Sequence, residues 1–387
     1  MNNSPATATP PAIRCDIFCR VVDNYGDAGV CWRLACQLAR EHGWRVRLWI
    51  DDPATLDRLS PDRAARPVEV VPWLAANATF GDIPDIVIEA FACEPPENYL
   101  AAMARRAPPP VWLNLEYLTA ERWIDELHGL PSPHPRLPLV KHFFFPGFDE
   151  RSGGLLREAD YAGRRQAFDA AAFRAEFGLP MPMPETLTIS LFSYPHAPLA
   201  ALRAALARGA RPIQLLLPGS DAPPLAAGAL RVLPLPFLPQ PRYDELLWLS
   251  DLNFVRGEDS FVRAQLAGKP FVWQIYPQAD QAHRAKLDAF LTRYKKVGNG
   301  ETAAEAENTP TKTGADASPP HMTAALAAMA SFWRAWNDDD GNGALDWPRF
   351  AAALPTLTIA AQRWAALLSH QPDLAANLVR FCLDRLK

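Results

Sequence analysis

No stretch of this 387-residue chain approaches the roughly 20 consecutive apolar residues that a bilayer core requires, and its first residues, MNNSPATATPPAIR, lack the charged and apolar regions of a leader. A cytoplasmic protein with no membrane partner is expected. Excess charge of one sign is also missing. The 39 Lys and Arg against 43 Asp and Glu give a formal −4, which offers no bulk attraction to nucleic acid or anionic lipid. Cysteine is sparse, with six in the chain and no C-x-x-C pair. Cys15 and Cys19 lie in an expected strand and roughly 13 Å apart, too far to share a metal ion, so buried free thiols are expected. Also absent are a G-x-G-x-x-G after the first strand, a Walker A sequence, H-E-x-x-H and G-x-S-x-G. Each absence weighs against a dehydrogenase, a P-loop enzyme, a zinc protease or an α/β-hydrolase. What the chain has in excess is proline, 39 residues, about twice the usual share of roughly 5%, which belongs in loops and segment ends.

Hydrophobic residues at 49% and charged ones at 21% describe a chain that folds. Residues 1–12 read as a disordered lead-in. A β-branched run, Asp16 to Val22, predicts a strand and passes into the turn-rich Asp23-Asn24-Tyr25-Gly26-Asp27. From Ala28 to His42, Val30, Leu34 and Leu38 recur at helical spacing, with Arg33, Gln37, Arg40 and Glu41 on the other side. Arg45 to Ile50 is a second strand, giving the β-loop-α-β order of a parallel sheet. Further strands are expected at 69–71, 86–89 and 111–114, and residues 143–157 form a crossing. The α/β pattern then restarts, with strands at 187–192, 213–217, 230–233, 252–255 and 270–274 and helices at 198–208, 243–249 and 260–267. Two α/β halves in tandem leave a cleft between them. Residues 298–320, poor in large apolar side chains, are expected to be a disordered insertion, and 354–387 to be helical.

Ligands of parallel α/β domains collect at the carboxyl ends of strands. Asp23 and Asp27 stand four residues apart at such an end and can both face the cleft, although Asp27 would serve equally as a helix N-cap and Asp23 as a turn former. In the second half, Arg256-Gly257-Glu258-Asp259-Ser260 makes a strand-to-helix turn whose free amides favour an anion such as a pyrophosphate. Glu258 and Asp259 would repel a diphosphate, so they contact sugar hydroxyls or backbone, or simply complement the helix dipole. Asp338, Asp340, Asn342 and Gly343 imitate the opening of a calcium loop, but the twelfth position is Arg349 where a bidentate Glu is required, so a solvated turn is the better reading. Trp112, Asn114, Glu116 and Tyr117 follow a strand and either border a ligand or pack in the interior.

VVDNYGDAGVCWRLACQLA (21–39), RLWIDD (47–52), FFFPGF (143–148), GGLLRE (153–158), SLFSYP (190–195), PFLPQ (236–240), RGEDSFVRAQLAGKPFVWQIYPQ (256–278) and Ala282 to Leu287 run in order along nearly the whole chain. Together they resemble the protein-arginine rhamnosyltransferase family that modifies bacterial elongation factor P. The resemblance implies a GT-B glycosyltransferase of two Rossmann-like domains. Residues 13–165 would bind the acceptor, with a terminal helix at about 368–387 packing back on them, and 166–367 would bind dTDP-β-L-rhamnose. It further implies Asp27 as general base with Asp23 as its partner in holding the acceptor arginine, and Asn24, Tyr25 and Glu116 beside the acceptor. Phe192, Tyr194, Phe237, Gln240, Arg256, Glu258, Asp259 and Ser260 would contact the donor. No cofactor or metal ion is implied. Inversion at the anomeric carbon and rescue of ribosomes stalled at consecutive prolines complete the expectation. The chain departs from the pattern at Ala28 and in its 298–320 insertion. A fold of this kind fixes neither donor nor acceptor by itself, so a sugar-nucleotide transferase with another acceptor, or a non-catalytic binder of the translation factor, stays open.

Overall fold

The computed structural model describes residues 12–23, 25–73, 80–278, 281–301, 320–338 and 343–386. The first lobe is a sheet of β1 (Arg14–Cys19), β2 (Arg45–Ile50), β3 (Val68–Pro72), β4 (Ile86–Ala90), β5 (Val111–Leu115), β6 (Pro131–Pro133) and β7 (Val140–Phe144). Their spatial order is β3-β2-β1-β4-β5-β7-β6, parallel throughout except for the β6–β7 pair. Its helices are α1 (Tyr25–Glu41), α2 (Pro53–Leu59), α3 (Glu97–Arg105) and α4 (Ile124–Leu127). After α5 (Tyr161–Gln166) and α6 (Ala170–Glu176) comes a second sheet of β8 (Leu187–Leu191), β9 (Ile213–Pro218), β10 (Leu225–Ala227), β11 (Leu230–Leu235), β12 (Leu252–Arg256) and β13 (Phe271–Gln274). Its order is β10-β11-β9-β8-β12-β13, with only β10–β11 antiparallel. The second lobe carries α7 (Leu199–Arg208), α8 (Gln240–Leu249), α9 (Asp259–Ala267) and α10 (Ala282–Gly298), followed by helices Pro320–Trp336, Trp347–His370 and Leu374–Leu383. Strands covered on both faces need near-continuous apolar sequence, and β4 (IVIEA) and β8 (LTISL) are buried at every residue. Their polar members are paired: Lys141 bonds Glu89 at 2.8 Å, and Ser190 bonds Asn253 at 2.5 Å.

Several expectations are corrected. Strand β1 stops at Cys19, short of Val22, because side chains take the next amides out of the ladder: Val21 N–H donates to Asp51 and Val22 N–H to Asp27, both at 2.9 Å. Helix α1 starts at Tyr25 rather than Ala28, after a turn closed by Gly26 N–H to Asp23 carbonyl at 2.7 Å. Arg33 and Gln37, read as the outer face of this helix, are buried at 6% and 2% exposure. Arg33 meets Asp244 of α8 and Asp259 of α9, while Gln37 donates to Asp373 and to the Arg157 carbonyl.

The continuous terminal helix expected over 354–387 is broken. Gln371 is extended (ψ 148°), as a residue before proline tends to be, and Asp373 caps the next helix by accepting from Ala375 and Ala376. Leu374, Ala375, Leu378 and Cys382 of that last helix are buried in the core of the first sheet, whereas Trp347, Phe350, Leu357 and Trp364 belong to the core of the second. The insertion begins later than 298. Gly298 closes α10 where a Cβ would stand 3.1 Å from Leu326 and 3.3 Å from Ala360, and Pro320 already opens a helix. Residues 302–319 lie outside the described residues, as do 1–11 and residues 339–342 of the calcium-like string. All six cysteines are free, five of them buried. Among the described residues no helix is long and apolar enough to cross a membrane, and no cluster of His, Cys, Asp and Glu could hold a metal ion.

Candidate functional site

Strand order reverses beside β1 and β4 in the first sheet and beside β8 and β12 in the second, the points where open parallel sheets leave a crevice at their carboxyl ends. The two crevices face each other. From the first lobe come the segment after β1, carrying Asp23, Tyr25 and Asp27, and the segment after β5, carrying Tyr117 and Leu118. From the second come Phe192 and Tyr194 after β8, and Gly257 to Ser260 after β12.

Asp27 sits in the first turn of α1, 2% exposed, with its carboxylate directed back over the preceding loop. Its Oδ2 accepts the N–H groups of Val22 and Asp23, both at 2.9 Å, and its Oδ1 accepts the Tyr117 hydroxyl at 3.3 Å. This replaces the simple N-cap reading, since the bonded amides precede the aspartate. Burial pushes its pKa above the usual carboxylate value, while the two amides and Tyr117 pull the other way. Asp23 accepts the Tyr194 hydroxyl on Oδ2 at 2.6 Å, a bond that crosses between lobes. Its pKa is pushed up to about 6, first by burial and then by Asp27, against the opposing pull of Tyr194 and Arg256. The space around it depends on glycine: a Cβ on Gly26 or on Gly257 would stand 2.6 Å from Asp23 Oδ2, and Gly257 also has φ +62°. Asn24 lies outside the described residues.

Two cavities share Asp23 as a wall. One is a slot of about 50 Å³. Phe192, Phe237, Gln240, Arg256, Asp259 and Ser260 line it, so six of the eight donor residues implied by the resemblance come together here. The Arg256 guanidinium lies over Phe192 at 4.3 Å and over Tyr194 at 4.7 Å. Ser260 Oγ accepts from Arg256 N–H at 3.1 Å and donates to the Arg256 carbonyl. Gln240 Nε2 donates to the Gly29 carbonyl at 3.0 Å and to Asp259 Oδ2 at 3.1 Å, while Asp259 Oδ1 accepts from Arg33 Nε at 2.7 Å. Tyr25, implied to be an acceptor contact, lies on this side too, 4.7 Å from Phe237 and bonded by Arg58 at 2.8 Å.

The other cavity, about 380 Å³, gathers Asp23, Asp27, Tyr117, Glu258, Trp273 and Lys286. Glu258 thus stands with the aspartates rather than in the slot. Its Oε2 accepts Leu118 N–H at 2.9 Å, and burial followed by Asp27 and Asp259 raises its pKa to about 8 against the Leu118 amide and Lys286. Glu116 lines neither cavity; its Oε1 accepts Asn114 Nδ2 at 2.5 Å. Trp112 is buried in an aromatic cluster with Phe18, Trp49 and Tyr99. Sequence reasoning missed Arg33 and Lys286 as site residues. Both fall in recognised strings, Lys286 in Ala282–Leu287 and Arg33 in 21–39, but helical spacing placed Arg33 on the outer face of its helix. Three carboxylates against an apolar wall suit a cationic group, and an aromatic slot with one guanidinium suits a flat ring bearing phosphate.

A family model described as elongation-factor P (EF-P) rhamnosyltransferase EarP matches residues 15–317 and 315–383. A protein-arginine rhamnosyltransferase of Pseudomonas aeruginosa is 44% identical, covering 96% of this chain and 99% of its own, and one of Neisseria meningitidis is 38% identical, covering 94% and 99%. A solved structure described by the words "Structural basis for EarP-mediated arginine glycosylation of translation elongation factor EF-P" superposes with TM-score 0.61 at 32% identity, covering 96% of this chain and 99% of that one. The spinosyn rhamnosyltransferase SpnG superposes with TM-score 0.51 at 15% identity, over 95% and 99%, and supports the fold alone. The chain belongs to the EF-P rhamnosyltransferase family and is a glycosyltransferase of the GT-B fold, a member of the protein-arginine rhamnosyltransferases.

Proposed function

We propose that the enzyme moves L-rhamnose from dTDP-β-L-rhamnose to one arginine side chain of elongation factor P, with inversion. The observation that carries the reading is the pairing of a three-carboxylate cavity with an aromatic, arginine-bearing slot, the two sharing Asp23. A guanidinium has a pKa near 12.5 or above and a delocalised lone pair, so it needs help to act as a nucleophile. Asp23, Asp27 and Glu258 grip it through charge-assisted hydrogen bonds and direct one nitrogen at the anomeric carbon. As the C–N bond forms, the C–O bond to the diphosphate breaks and its electron pair leaves with dTDP. The nitrogen's proton passes to Asp27 Oδ1, the oxygen not taken by backbone amides.

On the donor side, Phe237 stacks on thymine, Gln240 bonds its edge, and Phe192 and Tyr194 flank the nucleotide. Arg256 and the amides at the start of α9 offset the diphosphate charge, so the reading assigns no metal ion. Residues 13–165 with the terminal helix form the acceptor half, and 166–367 the donor half. The product would serve translation in the cytoplasm, relieving ribosomes stalled at consecutive prolines.

The test is incubation of the purified enzyme with dTDP-β-L-rhamnose and elongation factor P, followed by mass spectrometry. A deoxyhexose mass gain on a single arginine is expected. Complex formation without a mass change, or transfer only to another acceptor, overturns the reading.

A further inference from the structure

Asp27 Oδ2 is occupied by two amides, which leaves Oδ1 to meet a substrate, and the group beside Oδ1 is the Tyr117 hydroxyl at 3.3 Å. Such a bond is long for two oxygens, as catalytic contacts commonly are before substrate arrives. The Tyr117 ring is stacked on Phe91, centroids 4.2 Å apart and planes 13° from parallel, and Lys286 Nζ lies over it at 5.7 Å. Phe91 stands in a costly turn. Phe91, Ala92 and Glu94 have φ of +57°, +53° and +48°, a region that residues with a Cβ seldom occupy. The turn is clamped to the end of the strand that presents Tyr117: Phe91 N–H donates to the Leu115 carbonyl at 2.7 Å and Ala92 N–H to Asn114 Oδ1 at 3.0 Å. Three positive-φ residues within four positions persist only where their surroundings over-determine them, and such strain gathers at working sites.

We propose that Tyr117, braced by Phe91, is the positioning residue of Asp27, its hydroxyl holding Oδ1 toward the acceptor cavity and keeping that carboxylate charged. The inference rests on the reading of Asp27 as proton acceptor. Asp27 is faced by Asp23 from its own loop, Asp51 after β2, Tyr117 after β5, Glu258 before α9, Lys286 from α10 and the Cys31 thiol of α1. The acids favour its protonation. The amides and the Tyr117 hydroxyl oppose it.

Tyr117→Phe keeps the ring and its stack and removes only the hydroxyl. Loss of a bond to the charged form raises the carboxylate's pKa, so the acid limb of kcat/KM for the protein acceptor should move up by about half a pH unit or more. In the same variant kcat should fall about tenfold or more, and dTDP affinity by calorimetry should be unchanged. Phe91→Leu, which loosens the brace, should move the limb the same way, and Phe91→Tyr, which keeps a ring, should not; this pair also decides the matter if Tyr117→Phe fails to fold. An unmoved limb beside an inactive Asp27→Asn overturns the inference and leaves the proposed function standing, even if kcat or the melting temperature drops. An active Asp27→Asn overturns both.

Discussion

Glu258 and Asp27 differ in what holds their charge, and that difference is open to measurement. Glu258 has one amide and a neighbouring lysine against burial and two acids, which leaves its carboxyl near pKa 8, above the 4.5 of a free glutamate. A carboxyl raised on folding contributes stability below its unfolded pKa and loses it as pH climbs through the folded one. Glu258→Gln should therefore gain thermal stability over the parent, with the melting-temperature gap widening from about pH 5 to about pH 8 and flat above that. A gap independent of pH would contradict the assignment. The same substitution should weaken capture of the arginine, raising KM for the acceptor more than for the donor. Asp27→Asn should retain fold and dTDP binding while transfer falls by about two to four orders of magnitude, the usual worth of a general base. With Asp23 near pKa 6, kcat/KM should decline below about pH 6, where the aspartate pair takes up a proton. At this scale the sequence was informative: the D-x-x-x-D spacing and the RGEDS turn marked two loops that the fold brings together around Asp23. It did not show that Glu258 leaves the slot for the aspartates' cavity, because neighbours in a turn point to different sides and only the opposite lobe decides which.

Helix α1 shows why elements that join lobes resist reading from a single chain segment. Its polar side, Arg33 and Gln37, has the same periodicity whether it meets water or another domain. Here it meets a buried ion cluster. Arg33 bonds Glu158 at 3.0 Å, Asp244 at 3.1 Å and Asp259 at 2.7 Å, while Arg263 bonds Glu158 and Asp244 at 2.7 Å. Burial alone would raise the Glu158 carboxyl, but Arg263 and Arg33 outweigh it and hold it well below the usual range. Arg33→Met should cost about 3 kcal/mol in denaturant unfolding, at the low end for opening a buried pair because Arg263 still faces Asp244. It should also weaken dTDP binding, since Asp259 loses the bond that fixes it. Full stability and parental donor affinity would show that the cluster is dispensable. By contrast β1 to β5, β8, β9, β11, β12 and β13, with α7 and most of α9, were legible, because buried parallel strands and amphipathic turns carry their signal locally, whereas β6, β7 and β10 were not anticipated. The break at Gln371–Asp373 was not, since apolar spacing continues across it and only the extended residue before Pro372 interrupts the helix.

For the molecule as a whole, the telling quantity is the slot of about 50 Å³, against the several hundred Å³ that a small-molecule site generally occupies. Its walls are shared between lobes: Tyr25 and Gly26 from one, Phe192, Phe237 and Arg256 from the other. If the slot takes the proposed nucleotide sugar, the lobes would have to part to admit it, and Gln240 to Gly29 and Arg33 to Asp259 are contacts between lobes that would open and reform. The link between Tyr194 and Asp23 has a kinetic consequence. While the phenol occupies that oxygen, an incoming arginine finds its anchor already engaged, and a nucleotide that draws Tyr194 away would release it. The prediction is compulsory-order addition with the sugar donor leading. Under steady-state product inhibition, dTDP should compete with dTDP-rhamnose and act as a mixed inhibitor toward elongation factor P, while Tyr194→Phe should relax the sequence toward random entry. In a cell, sugar-nucleotide supply would then set how much enzyme is able to engage the translation factor at all.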